Sequence, residues 1–138
     1  MIVQLLPSQV VAYWDVVSKV CEVEGVTDSN LILSGLLSGK LQCWVSFVRE
    51  DKERKLKGIT LTTIVRDIVS NSRQLLILAV RGFGADPTIY EEGVAAISKW
   101  AKKNECSEVV TYSQVEYVLN ILSNLGFNLK TIYCKLEI

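Results

Sequence analysis

Arg81, Gly82 and Gly84 are the residues whose types and spacing best suit contact with a phosphate. They follow an unbroken apolar run, Leu75-Leu76-Ile77-Leu78-Ala79-Val80. They precede Ala85-Asp86-Pro87 and a segment in which Tyr90, Val94, Ile97 and Ala101 recur at helical spacing. Strand, glycine-rich turn and helix, in that order, present backbone N–H groups and a helix N-terminus to an anion. The same glycines also suit a plain tight turn, because glycine is the default residue for a positive φ. The run is short and has no polar face, which predicts a strand buried on both sides.

The rest of the chemistry is narrowed by composition. There is no histidine, which removes Ser–His and Cys–His dyads and every zinc site that uses imidazole. The four cysteines, Cys21, Cys43, Cys106 and Cys134, are far apart and form no CxxC pair. They read as reduced core or surface thiols of a cytosolic protein, and no metal is expected. Cys106 and Cys134 read as buried thiols rather than nucleophiles, since nothing near them in sequence lowers a thiol pKa.

Length and charge exclude further classes. A chain of 138 residues fits one domain, spanning 1–138, that buries roughly 70% of its unfolded surface without disulfide or metal. Hydrophobic residues are 49% and charged residues 22%, a globular balance. Lys plus Arg and Asp plus Glu each total 15, so a general electrostatic grip on nucleic acid is not expected. Mean hydropathy is +0.28, yet no stretch nears the roughly 18–20 apolar residues of a spanning helix, and MIVQLLPSQ does not resemble a signal peptide. The excess apolarity implies a sheet covered on both faces or an oligomer interface.

These elements position the turn. Ile2–Leu6 reads as an edge strand. Ser8–Val23 reads as an amphipathic helix, with Val10, Trp14, Val17 and Cys21 on one face and Gly25 as its stop. Thr27-Asp28-Ser29-Asn30 offers caps for a second helix over Leu31–Leu37. In Leu41–Val48, Leu41, Cys43, Val45 and Phe47 alternate against Gln42, Trp44 and Ser46, which predicts a strand. The mixed-sign run Arg49–Lys55 reads as a solvated hairpin loop. Gly58–Val65 is a strand by composition, and a three-strand antiparallel meander then ends at Leu75–Val80. A helix over Thr88–Lys103 follows, capped by Asp86 or Thr88, with Glu91 and Glu92 in its first turn and Lys99, Lys102 and Lys103 near its end. Glu108–Tyr112 is a strand expected beside Leu75–Val80 through a right-handed crossover. A helix over Gln114–Leu125 carries the stripe Val115, Val118, Leu119, Leu122 and Leu125 and stops at Gly126. Phe127–Ile138 alternates Ile132, Cys134, Leu136 and Ile138 as a last strand. Trp14, Trp44 and Trp100 read as core or interface anchors, with an acceptor groove as the alternative for Trp44.

The fold class is thus α/β (α+β mixed), with a central mixed sheet, helices on both faces, and the order β-α-α-β-β-β-α-β-α-β. That order in this length resembles the GNAT acetyltransferase superfamily. Leu36–Val45, Ile97–Cys106 and Tyr117–Phe127 (YVLNILSNLGF) resemble corresponding stretches of its short, phage-type members.

The resemblance implies an acyl-CoA, such as acetyl-CoA, in an opening between the fourth and fifth strands. Its pantetheine arm would pair with fourth-strand backbone at Leu78 and Val80. Its pyrophosphate would lie on Arg81, Gly82, Gly84 and Ala85. Arg81 and Gly84 match the family's turn, whereas Asp86 places a carboxylate at its last position. The position that often carries the acidic tyrosine is Leu122 here, leaving Tyr112 and Tyr117 as substitutes. No carboxylate lies in the fourth strand, and Glu50 and Asp51, in a loop, are poor bases. The implied function is acyl-CoA-dependent transfer to a small-molecule or protein amine. The alternative is a catalytically degenerate GNAT-fold binding or structural component, self-associating or part of a phage particle, so host cytoplasm or virion. A third reading is an unrelated small nucleotide- or phosphate-binding domain.

Overall fold

The computed structural model describes residues 1–23, 29–84, 86–113, 116–129 and 134–138. In chain order the elements are β1 (Ile2–Gln4), α1 (Pro7–Val23), α2 (Ser29–Ser38), β2 (Leu41–Glu50), β3 (Glu53–Arg66), β4 (Arg73–Gly82), α3 (Pro87–Lys103), β5 (Glu108–Thr111) and α4 (Glu116–Asn124). The sheet has the spatial order β1-β2-β3-β4-β5. Pairings from β1 through β4 are antiparallel, and β4 pairs with β5 in parallel, as the α3 crossover requires. It is a mixed α/β fold with helices on both faces.

Two cores flank the sheet, and strand alternation sorts residues between them. Leu41, Cys43, Val45 and Phe47 of β2 join Ile59 and Leu61 of β3 against Val10 and Val17 of α1 and Leu36 of α2. Trp44 and Leu75 join Ile97 and Ala101 of α3 on the other face. Trp14 and Trp100 pack against these two cores, so all three tryptophans are anchors. The Trp44 indole donates to the Thr62 hydroxyl at 3.0 Å, committing its polar edge to the interior.

Several expectations change. The charged run Arg49–Lys55 is not a long loop. Strand pairing continues through Arg49↔Arg54 and Glu50↔Glu53, and Asp51 and Lys52, at φ 50° and 69°, make a two-residue turn. Two consecutive positive φ values are what a tight hairpin demands, and the charges stay solvated along the strands instead. Helix α3 starts one residue earlier, at Pro87, which moves Glu91 and Glu92 into its second turn. Residues 127–129 and 134–138 form no strand, and Leu136 and Ile138 are exposed despite their alternation. Among the described residues, 134–138 have no strand pairing to take their backbone hydrogen bonds. Cys134 is exposed rather than buried for the same reason, while Cys43 is buried and Cys106 half-buried. Lys130–Tyr133, Gly25, Thr27, Asp28, Gln114, Val115 and Ala85 lie outside the described residues, as does the Cys21 side chain. Among the described residues, no helix is long and apolar enough to cross a membrane.

Candidate functional site

Strand β4 is buried on both sides only in part, and the exception makes the site. Leu61 pairs with Ala79 and Thr62 with Ile77, so Leu78 is an extra residue, a β-bulge. Leu75 and Ala79, four apart, would share a face in a regular strand. Here Leu75 belongs to the α3-side core and Ala79 to the opposite one. The bulge reverses the alternation and bends β4.

Pairing with β5 runs from Gln74↔Glu108 to Ile77↔Thr111 and stops. At the last rung the Thr111 hydroxyl donates to the Ile77 carbonyl at 3.2 Å. Beyond it β5 has ended, and Leu78 (37% exposed) and Val80 (41%) line an opening.

That opening is a cleft of about 320 Å³. Its floor is β4 from Ile77 to Gly82, with Gly58 and Thr60 of β3. One wall is the inner face of α3, at Tyr90, Gly93, Val94 and Ile97. The other is Thr111 and Tyr112, then Tyr117, Val118, Ile121 and Leu122 of α4. No described α4 residue is buried in either core, because its apolar face is turned to this cleft. A Schellman motif ends α4: Gly126, at φ 94°, bonds to Ser123 and Phe127 to the Leu122 carbonyl at 3.0 Å. That reversal brings Phe127 back to the cleft rim.

The structure thus gathers Leu78, Val80, Arg81, Gly82, Tyr112 and Tyr117 around one cleft. Gly84 lies at its mouth in sequence rather than among its lining, and Ala85 is outside the described residues. Trp44 is not part of the lining. Lys57 and Gly93 went unrecognised in the sequence, which marked the apolar stripe of α4, Leu122 and Tyr117 but not that this stripe walls a cleft. The signal for Gly93 was its place at helical spacing between Tyr90 and Ile97. Lys57 carried no signal: it is the extra residue opposite Ser46–Phe47, where β2–β3 pairing shifts register.

The charges near the mouth are specific. The Arg81 guanidinium lies 5.5 Å from the Phe83 ring centroid. The Lys57 ammonium is 3.4 Å from Glu50 Oε1, and Lys55 holds the other carboxylate oxygen of Glu50 at 3.0 Å. Hydrogen bonding to Lys55, then the charge of Lys57, holds the Glu50 carboxyl below its ordinary value. Asp86 is the N-cap of α3, accepting from the Ile89 N–H at 3.2 Å and from the Thr88 hydroxyl. Pro87 at the first helical position fixes the start. The Thr88 hydroxyl first, and the Ile89 N–H second, hold the Asp86 carboxyl below its ordinary value.

A depressed folded pKa gives stability that is present above the unfolded value, near 3.8, and lost as pH falls through the folded one. Asp86→Ala should therefore lower the thermal midpoint at pH 7, and the gap from the parent should narrow as pH falls below about 4 and through the depressed folded value. A gap that persists at pH 2 would show that the charge of the cap is not what matters.

The donor set suits an acyl-CoA in the cleft. Beyond Ile77, no described strand occupies the β5 side of β4, so its backbone groups there are available to an extended polar chain. A Cβ built on Gly84, at φ 69°, meets nothing within 4 Å, leaving the backbone of the turn open to a phosphate. Asp86 is the exception, because its carboxylate already satisfies the helix N-terminus. Among the described residues, no group of three or more Cys, Asp or Glu is placed to hold a metal.

No protein-family model matches the chain, and no curated protein sequence matches it significantly. Solved structures do match. A protein described as a probable acetyltransferase superposes with a TM-score of 0.77 at 12% identity, covering 100% of this chain and 96% of that one. The aminoglycoside acetyltransferase AAC(6')-Iy, in complex with the bisubstrate analogue CoA-S-monomethyl-acetylneamine, gives 0.76 at 14% identity, with 100% and 98% covered. A predicted acetyltransferase from Clostridium acetobutylicum, solved with acetyl-CoA, gives 0.73 at 10% identity, with 99% and 95% covered. At such identities the likeness speaks for architecture, and by the mixed sheet and flanking helices of its described residues and by its full-length superposition this chain has the fold of the GNAT acetyltransferases.

Proposed function

We propose that the chain is an acyl-CoA-dependent N-acyltransferase, with the cofactor in the β4–β5 cleft. The observation that carries this is the end of β4–β5 pairing at Ile77 and Thr111, with the bulge at Leu78 and an open cleft just beyond it. Structural neighbours that carry acetyl-CoA or a CoA conjugate support it.

In this reading the backbone at Leu78 and Val80 receives the pantetheine arm, and a β4 N–H polarises the acyl carbonyl. Arg81 and the backbone of Gly82 and Gly84 receive the pyrophosphate. The apolar face of α4, with Ile121 and Leu122, excludes water from the acyl end. Of the cleft's three phenols, Tyr112 and Tyr117 stand on the α4 side, and they return a proton to the departing sulfur in place of Leu122, which has no hydroxyl. Bound acyl-CoA supplies the activated thioester.

Leu122 and the capped Asp86 favour a second reading, a GNAT-fold protein that keeps the cleft for binding and does not transfer. Calorimetric titration with acetyl-CoA, with desulfo-CoA and ATP as controls, tests the shared premise. Micromolar binding of both CoA species and none of ATP is expected. No heat at millimolar acetyl-CoA removes the cofactor assignment. Binding without transfer to any amine selects the second reading.

A further inference from the structure

We infer that the acceptor is an amine substantially neutral near pH 7, the α-amine of an amino acid or peptide, rather than a side-chain or alkyl ammonium. This rests on the N-acyltransferase reading and adds the substrate class.

The polar side chains facing the cleft are all proton donors or weak hydroxyls. Lys57 and Arg81 are the charged lining residues, and Tyr90, Tyr112 and Tyr117 are the phenols. Among the described residues no carboxylate lines the cleft, and the chain has no histidine. Ammonium, guanidinium and phenol groups donate protons at neutral pH and do not take one from an incoming ammonium. Two carboxylates outside the lining, Glu50 and Asp86, are already committed. Glu50 is held by Lys55 and Lys57, and Asp86 by Thr88 and the start of α3. Those same contacts depress both carboxyls, which weakens each as a base.

The nucleophile must therefore arrive with its lone pair free. An α-amine, with a pKa of about 7.7–8.0, is roughly 10–15% neutral at pH 7, and a lysine-type amine, at about 10.4, is roughly 0.04% neutral. That is a ratio of about 300. The more basic amine is the better nucleophile once neutral. That narrows the ratio without changing its source, the fraction of each amine that arrives neutral.

In the transfer step the amine lone pair forms the C–N bond to the acyl carbon. The C–S bond breaks with its electron pair on sulfur. The proton shed by nitrogen passes to that sulfur or to water, leaving an amide and the free thiol.

Two peptides of one sequence containing a single lysine test this. One has a free α-amine and an acetylated lysine; the other has an acetylated α-amine and a free lysine. kcat/KM with acetyl-CoA is measured from pH 6 to 10, with calorimetric CoA binding on the same sample. The α-amine peptide is expected to be at least 10-fold better at pH 7. Its profile should level near pH 8, while the lysine peptide should keep rising to about pH 10. Equal or faster transfer to lysine at pH 7 overturns the inference and leaves the N-acyltransferase reading standing. Intact CoA binding with transfer to neither peptide also overturns it. Absence of CoA binding removes both together.

Discussion

Gly93→Phe is expected to abolish acetyl-CoA binding, with at least a 100-fold loss of affinity, in a protein no less stable than the parent. Gly93 sits on the inner face of α3, among the residues that wall the cleft. A Cβ there meets only Ile2 Cδ1, at 3.7 Å, which is ordinary van der Waals contact. Replacing glycine in a helix interior with an ordinary residue gains about 0.5 kcal/mol of helix propensity. The backbone therefore accepts the change, and the ring extends into the cleft. Gly84→Trp is a less clean version of the same test. Gly84 has φ 69°, so any side chain there adds backbone strain to occlusion. Calorimetric titration beside a urea melt separates the two effects for Gly93→Phe. An unchanged acetyl-CoA affinity, with the melt intact, would place the cofactor elsewhere and remove the role given to this cleft.

What the sequence made legible follows from which features are local. The alternation of Leu41, Cys43, Val45 and Phe47 placed those residues in one core, because strand parity is a two-residue rule. The Asp86 cap and the Gly126 stop were legible for the same reason, since capping is settled within one helical turn. The cleft depends on an event with no local signature. Leu78 becomes a bulge because Leu61 and Thr62 pair on either side of it, and the run LLILAV reads the same with or without that bulge. Leu78 and Val80 were named only through a family resemblance, and the reason they are open emerged from the strand register. Lys57 was missed because a second irregularity, between Ser46 and Phe47, places it. The C-terminal alternation failed in the opposite way. Its pattern is sound, but a strand needs a partner, and residues 134–138 have no strand pairing. The hairpin run at 49–55 hid strand behind charge, since composition alone does not distinguish a solvated strand edge from a loop.

Thr62→Val should cost about 2–5 kcal/mol of stability, a large share of the roughly 5–15 kcal/mol typical of a domain. The substitution conserves shape, so nearly all of that cost is polar. Thr62 is fully buried, and Trp44 and Gln42 are nearly so. The Thr62 hydroxyl accepts from the Trp44 indole N–H at 3.0 Å and donates to Gln42 Oε1 at 2.9 Å. The Gln42 amide nitrogen is in turn held by the Gly39 carbonyl at 3.2 Å, so the side chain cannot easily swing to a new partner. Valine leaves a buried donor and a buried acceptor unmatched, at about 1–3 kcal/mol each. Trp44 also meets Trp100 edge-on, at 5.7 Å between centroids, which ties the sheet to α3. Thr62 pairs with Ile77, the residue just before the bulge, so the network braces the point where β4 leaves β5. Two readouts follow. The urea midpoint should fall, and amide exchange at Ile77 and Leu78 should speed up more than at Val45, which lies elsewhere in the sheet. Adding Trp44→Phe removes the unmatched indole N–H, so the pair should cost less than the sum of the two single changes. Strictly additive costs would mean that the three side chains do not act as one network, and the brace at the cleft would have to be sought in packing alone.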